Sequence, residues 1–186
     1  MLFVVLEGVI KKTYSNARGD EQVLGIFQKG DIFGQLFLGK YLHRIATATA
    51  LTDVSLAGLA RTDLEQLVTA IPRLSLNLIR HFSDSQREIM ACLHAVRQLN
   101  ARFRLLGTLL TLVRQSPETE DGWHCLPSGV TQLDIASIAG LNRTTASLII
   151  NDLRREGVLG GVGRNLTVNR KQVESILFNA GVEILE

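Results

Sequence analysis

The segment Arg143–Glu156 holds the residues whose types and spacing are most suggestive of chemistry. Turned at about 100° per residue, Ala146, Ile149, Ile150 and Leu153 share one apolar stripe. The opposite face carries Thr144, Ser147, Leu148, Asn151 and Arg155, with Arg143 and Arg154 at its edge. Any surface helix has a polar face, so amphipathicity decides nothing. The content of this face is more selective: no acid, short hydrogen-bonding side chains, and arginines. Arginine can grip the O6 and N7 atoms of guanine, and asparagine can pair with adenine. Threonine or an exposed leucine can meet the thymine methyl group. That is the chemistry of reading base edges in a major groove.

Other candidate chemistries are poorer. Glu7 and Asp31 both sit beside turn glycines, and no histidine or nucleophile motif accompanies them, so no enzyme is expected. His43, His81, His94 and His124 lack metal-ligand spacing and are read as surface or packing residues. The two cysteines, Cys92 and Cys125, show no CxxC pattern, which fits a reducing cytoplasm and argues against a zinc module. Cys92 is expected to pack as a small apolar residue.

The reading face needs elements to position it. Thr131 caps a helix start with Asp134 in its first turn; apolar Leu133, Ile135, Ala136, Ile138 and Ala139 follow, and Gly140 stops it. Asn142 then caps Arg143–Glu156, which Gly157 ends. Two helices joined by a short glycine-containing turn form a helix-turn-helix. Beyond it, Val158–Val168 reads as a β-hairpin wing whose glycine-rich tip carries Arg164, suited to a phosphate. Arg143, Arg154, Arg155, Arg164, Arg170 and Lys171 face only Asp152 and Glu156 in this stretch, whereas Glu118–Asp134 has four acids and no Lys or Arg. The net charge of +2 hides this separation. Trp123–Leu126 and the stretch after Pro127 look like a short hairpin, and Leu166–Val168 like a terminal strand.

Further upstream, Leu78, Phe82, Ser85, Ile89, Cys92, Val96, Leu99, Phe103, Leu106 and Leu110 alternate at four and three residues. A seam this long suggests a dimer helix, with Asn100 placed to cap a separate helix for the last part. A short helix opens near Asp63 and stops near Pro72. Residues 1–60 instead show short Val, Ile, Leu, Phe and Thr runs punctuated by glycines about every 8–12 residues, as in a compact β-sandwich or barrel. Asn16–Asp20 reads as a hairpin tip and Lys29–Asp31 as a turn. The 186 residues suffice for a sizeable core without disulfides. The apolar start meets Glu7, Lys11 and Lys12, and no window approaches the roughly 18 uncharged residues of a span, so no membrane association is expected.

In order, Val5–Gly8, Gly30–Leu36, the long helix, Thr131–Gly140, Asn142–Gly157 and the wing resemble the Crp–Fnr family of bacterial transcription regulators over nearly the whole chain. The resemblance implies an α+β chain with three parts. An N-terminal β-roll of the cyclic-nucleotide-binding kind occupies residues 1–72, a dimerisation helix 73–99, and a C-terminal winged helix-turn-helix domain 100–186. Family members usually have a further helix and strands before the segment matching Phe3–Gly8, so the roll is expected to be N-terminally incomplete. The resemblance also implies a homodimer on palindromic double-stranded DNA, RNA polymerase as a further partner, and an effector in the roll.

Position by position, Arg143 falls on the family's base-reading arginine, Thr131 on a phosphate contact and Arg164 on the basic wing tip. Thr144 stands where a base-reading glutamate is usual, and Leu148 where a second arginine often stands, so the operator is expected to differ from the commonest one. Arg143, Thr144, Ser147 and Asn151 form the expected base-reading set. In the roll, the family's cyclic-nucleotide binders hold the ribose with a glutamate and the cyclic phosphate with an arginine and a Ser or Thr. Here the matching residues are Gln35, Arg44 and Ile45, in a loop shorter by a residue. Gln35 and Arg44, with Ser85 and Gln86 near the family's adenine contacts, are the effector candidates. Cyclic AMP is not expected; a different small effector, or none, is. The competing reading is a ligand-binding or dimerisation module whose helix-turn-helix makes protein contacts.

Overall fold

The computed structural model describes the chain except residues 17–18, 40–45, 99, 120, 162–164 and 183–186; for Phe37 and residues 92–98 it describes the backbone alone. Among the described residues, six strands form the N-terminal half: β1 (Leu2–Glu7), β2 (Ile10–Ser15), β3 (Glu21–Phe27), β4 (Ile32–Phe33), β5 (Thr47–Ala50) and β6 (Ser55–Leu59). They make two antiparallel three-stranded sheets, ordered β4-β1-β6 and β3-β2-β5. Gly8 carries the chain from one sheet to the other at φ +88°, and a Cβ there would lie 2.2 Å from the Asp53 carbonyl oxygen. Only glycine fits both demands. Val5, Ile10 and Phe33 form a small core with Phe3, Phe27 and Val54 packed on it, and the Phe3 and Phe33 rings stack at 5.2 Å.

The helix expected near Asp63 is α1 (Arg61–Ala70). Pro72 does more than stop it, because it is also the first residue of α2 (Pro72–Gln98), where a missing N–H costs nothing. The seam is then divided. Asn100 accepts a hydrogen bond from the Phe103 amide at 3.0 Å and starts α3 (Ala101–Val113). Phe103, Leu106 and Leu110 serve the C-terminal core. On α2, Leu78, Phe82 and Ser85 are half-buried within the chain. Among the described side chains of α2, Ile89 of the seam is exposed, and Leu76, Ile79 and Met90, which lie off it, are exposed as well. Cys92 and Val96 lie outside the described side chains, and Leu99 outside the described residues.

The C-terminal half comprises β7 (Trp123–Cys125), α4 (Gln132–Ile138), α5 (Arg143–Arg155), β8 (Leu159–Gly160), β9 (Thr167–Asn169) and α6 (Arg170–Asn179). Two expectations are corrected. β7 does not pair with the stretch after Pro127, which turns at once into the cap of α4; it pairs with β9, in the order β7-β9-β8. Nor is β9 terminal. The Asn169 side chain accepts from the Gln172 amide at 3.1 Å and starts α6, whose Val173 and Leu177 are buried. Leu105, Leu109, Ile135, Ile150, Leu153 and Val168 fill the centre of this half.

The two halves are joined by polar contacts that no sequence pattern announces. α4 lies on β3, where the Val23 amide donates to Ser137 Oγ at 2.8 Å. Lys11 Nζ sits 3.1 Å from Asp134 Oδ1. Gln28 Nε2 donates to the Leu112 carbonyl at 3.2 Å, and Gln115 Nε2 to Asp31 Oδ1 at 2.8 Å. Asp31 also accepts from the Gln28 amide at 2.8 Å, so its carboxylate braces a turn and the joint. Ile26 and Leu51 extend the C-terminal core into the roll.

Candidate nucleic-acid interface

The pair α4–α5 is built by local chemistry. At the start of α4, Thr131 Oγ1 accepts from the Asp134 amide at 3.2 Å, while the Asp134 carboxylate accepts from the Thr131 amide at 2.9 Å. This reciprocal cap satisfies two amides that would otherwise lack partners. Thr131 Oγ1 also donates to Asp134 at 2.7 Å, so its own proton is engaged inside the cap. Burial works against ionisation of Asp134, but the Thr131 hydroxyl and amide and Lys11 outweigh it and hold the carboxyl below its usual range. The turn passes through Gly140 at φ +64°, with the Leu141 amide donating to the Ala136 carbonyl at 2.8 Å. Asn142 then accepts from the Thr145 amide at 2.8 Å and begins α5.

α5 divides as its sequence indicated. Ala146, Ile150 and Leu153 are buried and Ile149 half-buried against the C-terminal core. Arg143, Thr144 and Asn151 are exposed and Ser147 is half-buried, so the structure brings the four residues of the expected base-reading set onto one helix beside solvent. Leu148 lies among them and is 63% exposed. Arg155 pairs with Asp152 at 3.1 Å across one helical turn, which leaves it less available than Arg143. Thr131 is exposed at the start of α4. Arg164 lies outside the described residues, although β8 and β9 form the antiparallel stem of its wing.

Sequence reasoning did not find what holds α5 in place. Arg102, in the first turn of α3, makes a two-pronged pair with Glu156, the residue that closes α5, with one prong at 2.9 Å. This contact holds the Glu156 carboxyl below its ordinary range and the Arg102 guanidinium above its own. At the other end of α3, Arg114 reaches Glu88 of α2 at 2.5 Å and lies 3.9 Å from Asp31 of the roll. The signal for such pairs is weak, because their partners are 54, 26 and 83 residues apart in the chain.

In the roll, Gln35 opens a single 3-10 turn, Gln35–Leu38, after Gly34 at φ +88°. Its Oε1 atom is buried without a hydrogen-bond partner among the described residues. Ser85 is half-buried and Gln86 exposed on α2, while Arg44 lies outside the described residues. Where the family's cyclic-nucleotide binders carry a glutamate and a Ser or Thr, this chain has Gln35 and Ile45, the latter outside the described residues. Among the described residues, no group of His, Cys, Asp or Glu could hold a metal ion, and no helix is long and apolar enough to cross a membrane.

Comparison with known proteins covers both halves. The cyclic nucleotide-binding domain family matches residues 1–70, and the Crp-like helix-turn-helix domain family matches residues 103–173. The cyclic AMP receptor protein of Thermus thermophilus is 29% identical over 160 residues, spanning 85% of this chain and 70% of the relative. The global nitrogen regulator of a Nostoc species is 25% identical over 173 residues, 91% of this chain and 77% of the relative. The solved structure of FixK2 from Bradyrhizobium japonicum superposes with a TM-score of 0.78 at 24% identity, covering 94% of this chain and 85% of that one, a likeness of fold. With a roll, a helix-turn-helix and relatives of one kind across its length, the chain belongs to the Crp–Fnr family of transcription regulators.

Proposed function

We propose that two copies of this chain pair through α2 and read a two-fold symmetric operator, each laying α5 in the major groove. The observation that carries this reading is the exposed face of Arg143, Thr144, Leu148 and Asn151, whose bordering acid Asp152 is paired with Arg155, on a helix capped at both ends. Arg143, Thr144, Ser147 and Asn151 read bases; Arg164 meets a phosphate, and Thr131 meets one by turning its hydroxyl proton from Asp134 to the backbone. The exposed Leu76, Ile79 and Met90 on α2 supply the apolar face that a second copy covers. Residues 1–72 act as sensor, 73–99 as dimer helix and 100–186 as DNA-binding domain, in the cytoplasm, with RNA polymerase as a further partner. A small effector other than cyclic AMP acts near Gln35, Arg44, Ser85 and Gln86 and biases the spacing of the two α5 helices.

The test is selection of bound DNA from a random duplex pool by the full chain. Enrichment of a symmetric site with half-sites about 34 Å apart is expected. The exposed Leu133 and Leu148 favour protein contact as the second reading. Binding that enriches no sequence and ignores salt would transfer the interface to that reading.

A further inference from the structure

The reading face contains one residue that cannot hydrogen-bond. Leu148 is 63% exposed, and its neighbours on the helix surface are Thr144, Asn151 and Asp152 at spacings of three and four. A lone exposed leucine is ordinary on a protein surface. Its place here is not ordinary, because the buried stripe of Ala146, Ile150 and Leu153 is complete without it. In a major groove the only apolar group on any base edge is the C5-methyl of thymine. Against a guanine, cytosine or adenine edge, Leu148 would strip water from donors and acceptors and return nothing.

We infer that Leu148 is a specificity-determining residue that packs on a thymine methyl and rejects G·C at that base pair. The inference rests on the DNA-reading function proposed above. Arg143 lies five residues before Leu148, about 7.5 Å along the helix axis.

Deoxyuridine removes the thymine methyl and nothing else, so it serves as the probe. The full chain is titrated against its selected operator and against duplexes with one thymine per half-site replaced by deoxyuridine. At the position facing Leu148, loss of one buried methyl should weaken binding about fourfold per half-site. Leu148→Ala should bind the thymine and deoxyuridine duplexes equally. Its exposure makes the fold indifferent to the change. Leu148→Arg should move the preference at that pair from T·A to G·C. An operator whose every thymine tolerates loss of its methyl overturns the assignment while leaving DNA reading intact. So does methyl sensitivity that persists in Leu148→Ala. A pool that yields no operator overturns both.

Discussion

Replacing Asp134 with asparagine perturbs the point where helix capping and the joint between the halves coincide. Asp134 is 4% exposed and accepts from the Thr131 amide, the Thr131 hydroxyl and Lys11 Nζ. Asparagine keeps the shape but loses the charge, and its amide group presents hydrogens toward donors. Loss of the reciprocal cap costs about 1 kcal/mol. Loss of the ion pair adds about 1–2 kcal/mol, because Lys11 is partly exposed and rehydrates. For a chain of this size a total of about 2–3 kcal/mol lowers Tm by roughly 4–12 °C. Thermal unfolding followed by circular dichroism between pH 3 and 7 checks both magnitude and sign. The folded-state carboxyl titrates below its unfolded value, so its contribution is full above the unfolded pKa and lost as pH falls through the folded one. The gap between parent and Asp134→Asn should therefore be constant near neutrality and shrink below about pH 4. A gap under about 1 °C at pH 7, against the cap value used here, would refute the reasoning, as would one that widens on acidification. Lys11→Met, which leaves the cap in place, should cost the ion-pair part alone, about 1–2 kcal/mol.

Ile79→Asp puts a charge on the free face of α2 without touching a buried group, so the chain should stay folded and sediment at the mass of one copy where the parent sediments at two; a variant that still sediments as a pair would place the dimer contact elsewhere. Gly129 has φ +84°, and a Cβ there would lie 2.9 Å from Leu51 Cβ at the joint between halves, so Gly129→Ala should cost about 1–3 kcal/mol, read as a lower denaturant midpoint at unchanged slope. An unmoved midpoint would mean that the joint yields. Glu156→Gln breaks the pair with Arg102 on a half-exposed surface and should cost no more than about 1 kcal/mol. Because Arg102 depresses the Glu156 pKa, that difference should be present at pH 7 and vanish as pH falls below the carboxylate range. Persistence of the full difference at pH 3 would contradict it.

What the sequence made legible was local. Asn100, Thr131 and Asn142 cap helices through hydrogen bonds to amides three residues on, so composition and spacing are enough to place them. The stripe on α5 is a short-range periodicity, and its four apolar residues went where they were expected. The alternating seam was harder, because a periodicity says which side chains share a face and not what covers them. Leu78 and Phe82 are half-buried within the chain, Ile89 on the same seam is exposed, and Ile79 and Met90, off the seam, are exposed too. Strand partners separated by loops were beyond reach: Trp123 finds Asn169, not the stretch after Pro127. α6 is legible in the cap Asn169 and the helical spacing of Val173, Ile176 and Leu177. The ties Lys11–Asp134 and Arg102–Glu156 depend on how two halves meet, which no local rule encodes.

The most direct test of the central claim, that α5 reads base edges, compares the parent with Arg143→Ala on the selected operator and on random duplex at one salt concentration. Arg143 is exposed and outside the core, so its removal leaves the fold alone. The expected result is a loss of about 1–3 kcal/mol on the operator, roughly 5–150-fold, with preference relaxed at one base pair and little change on random DNA. Equal losses on both would mean that Arg143 touches only phosphates, and that α5 does not read sequence in the way its exposed face suggests.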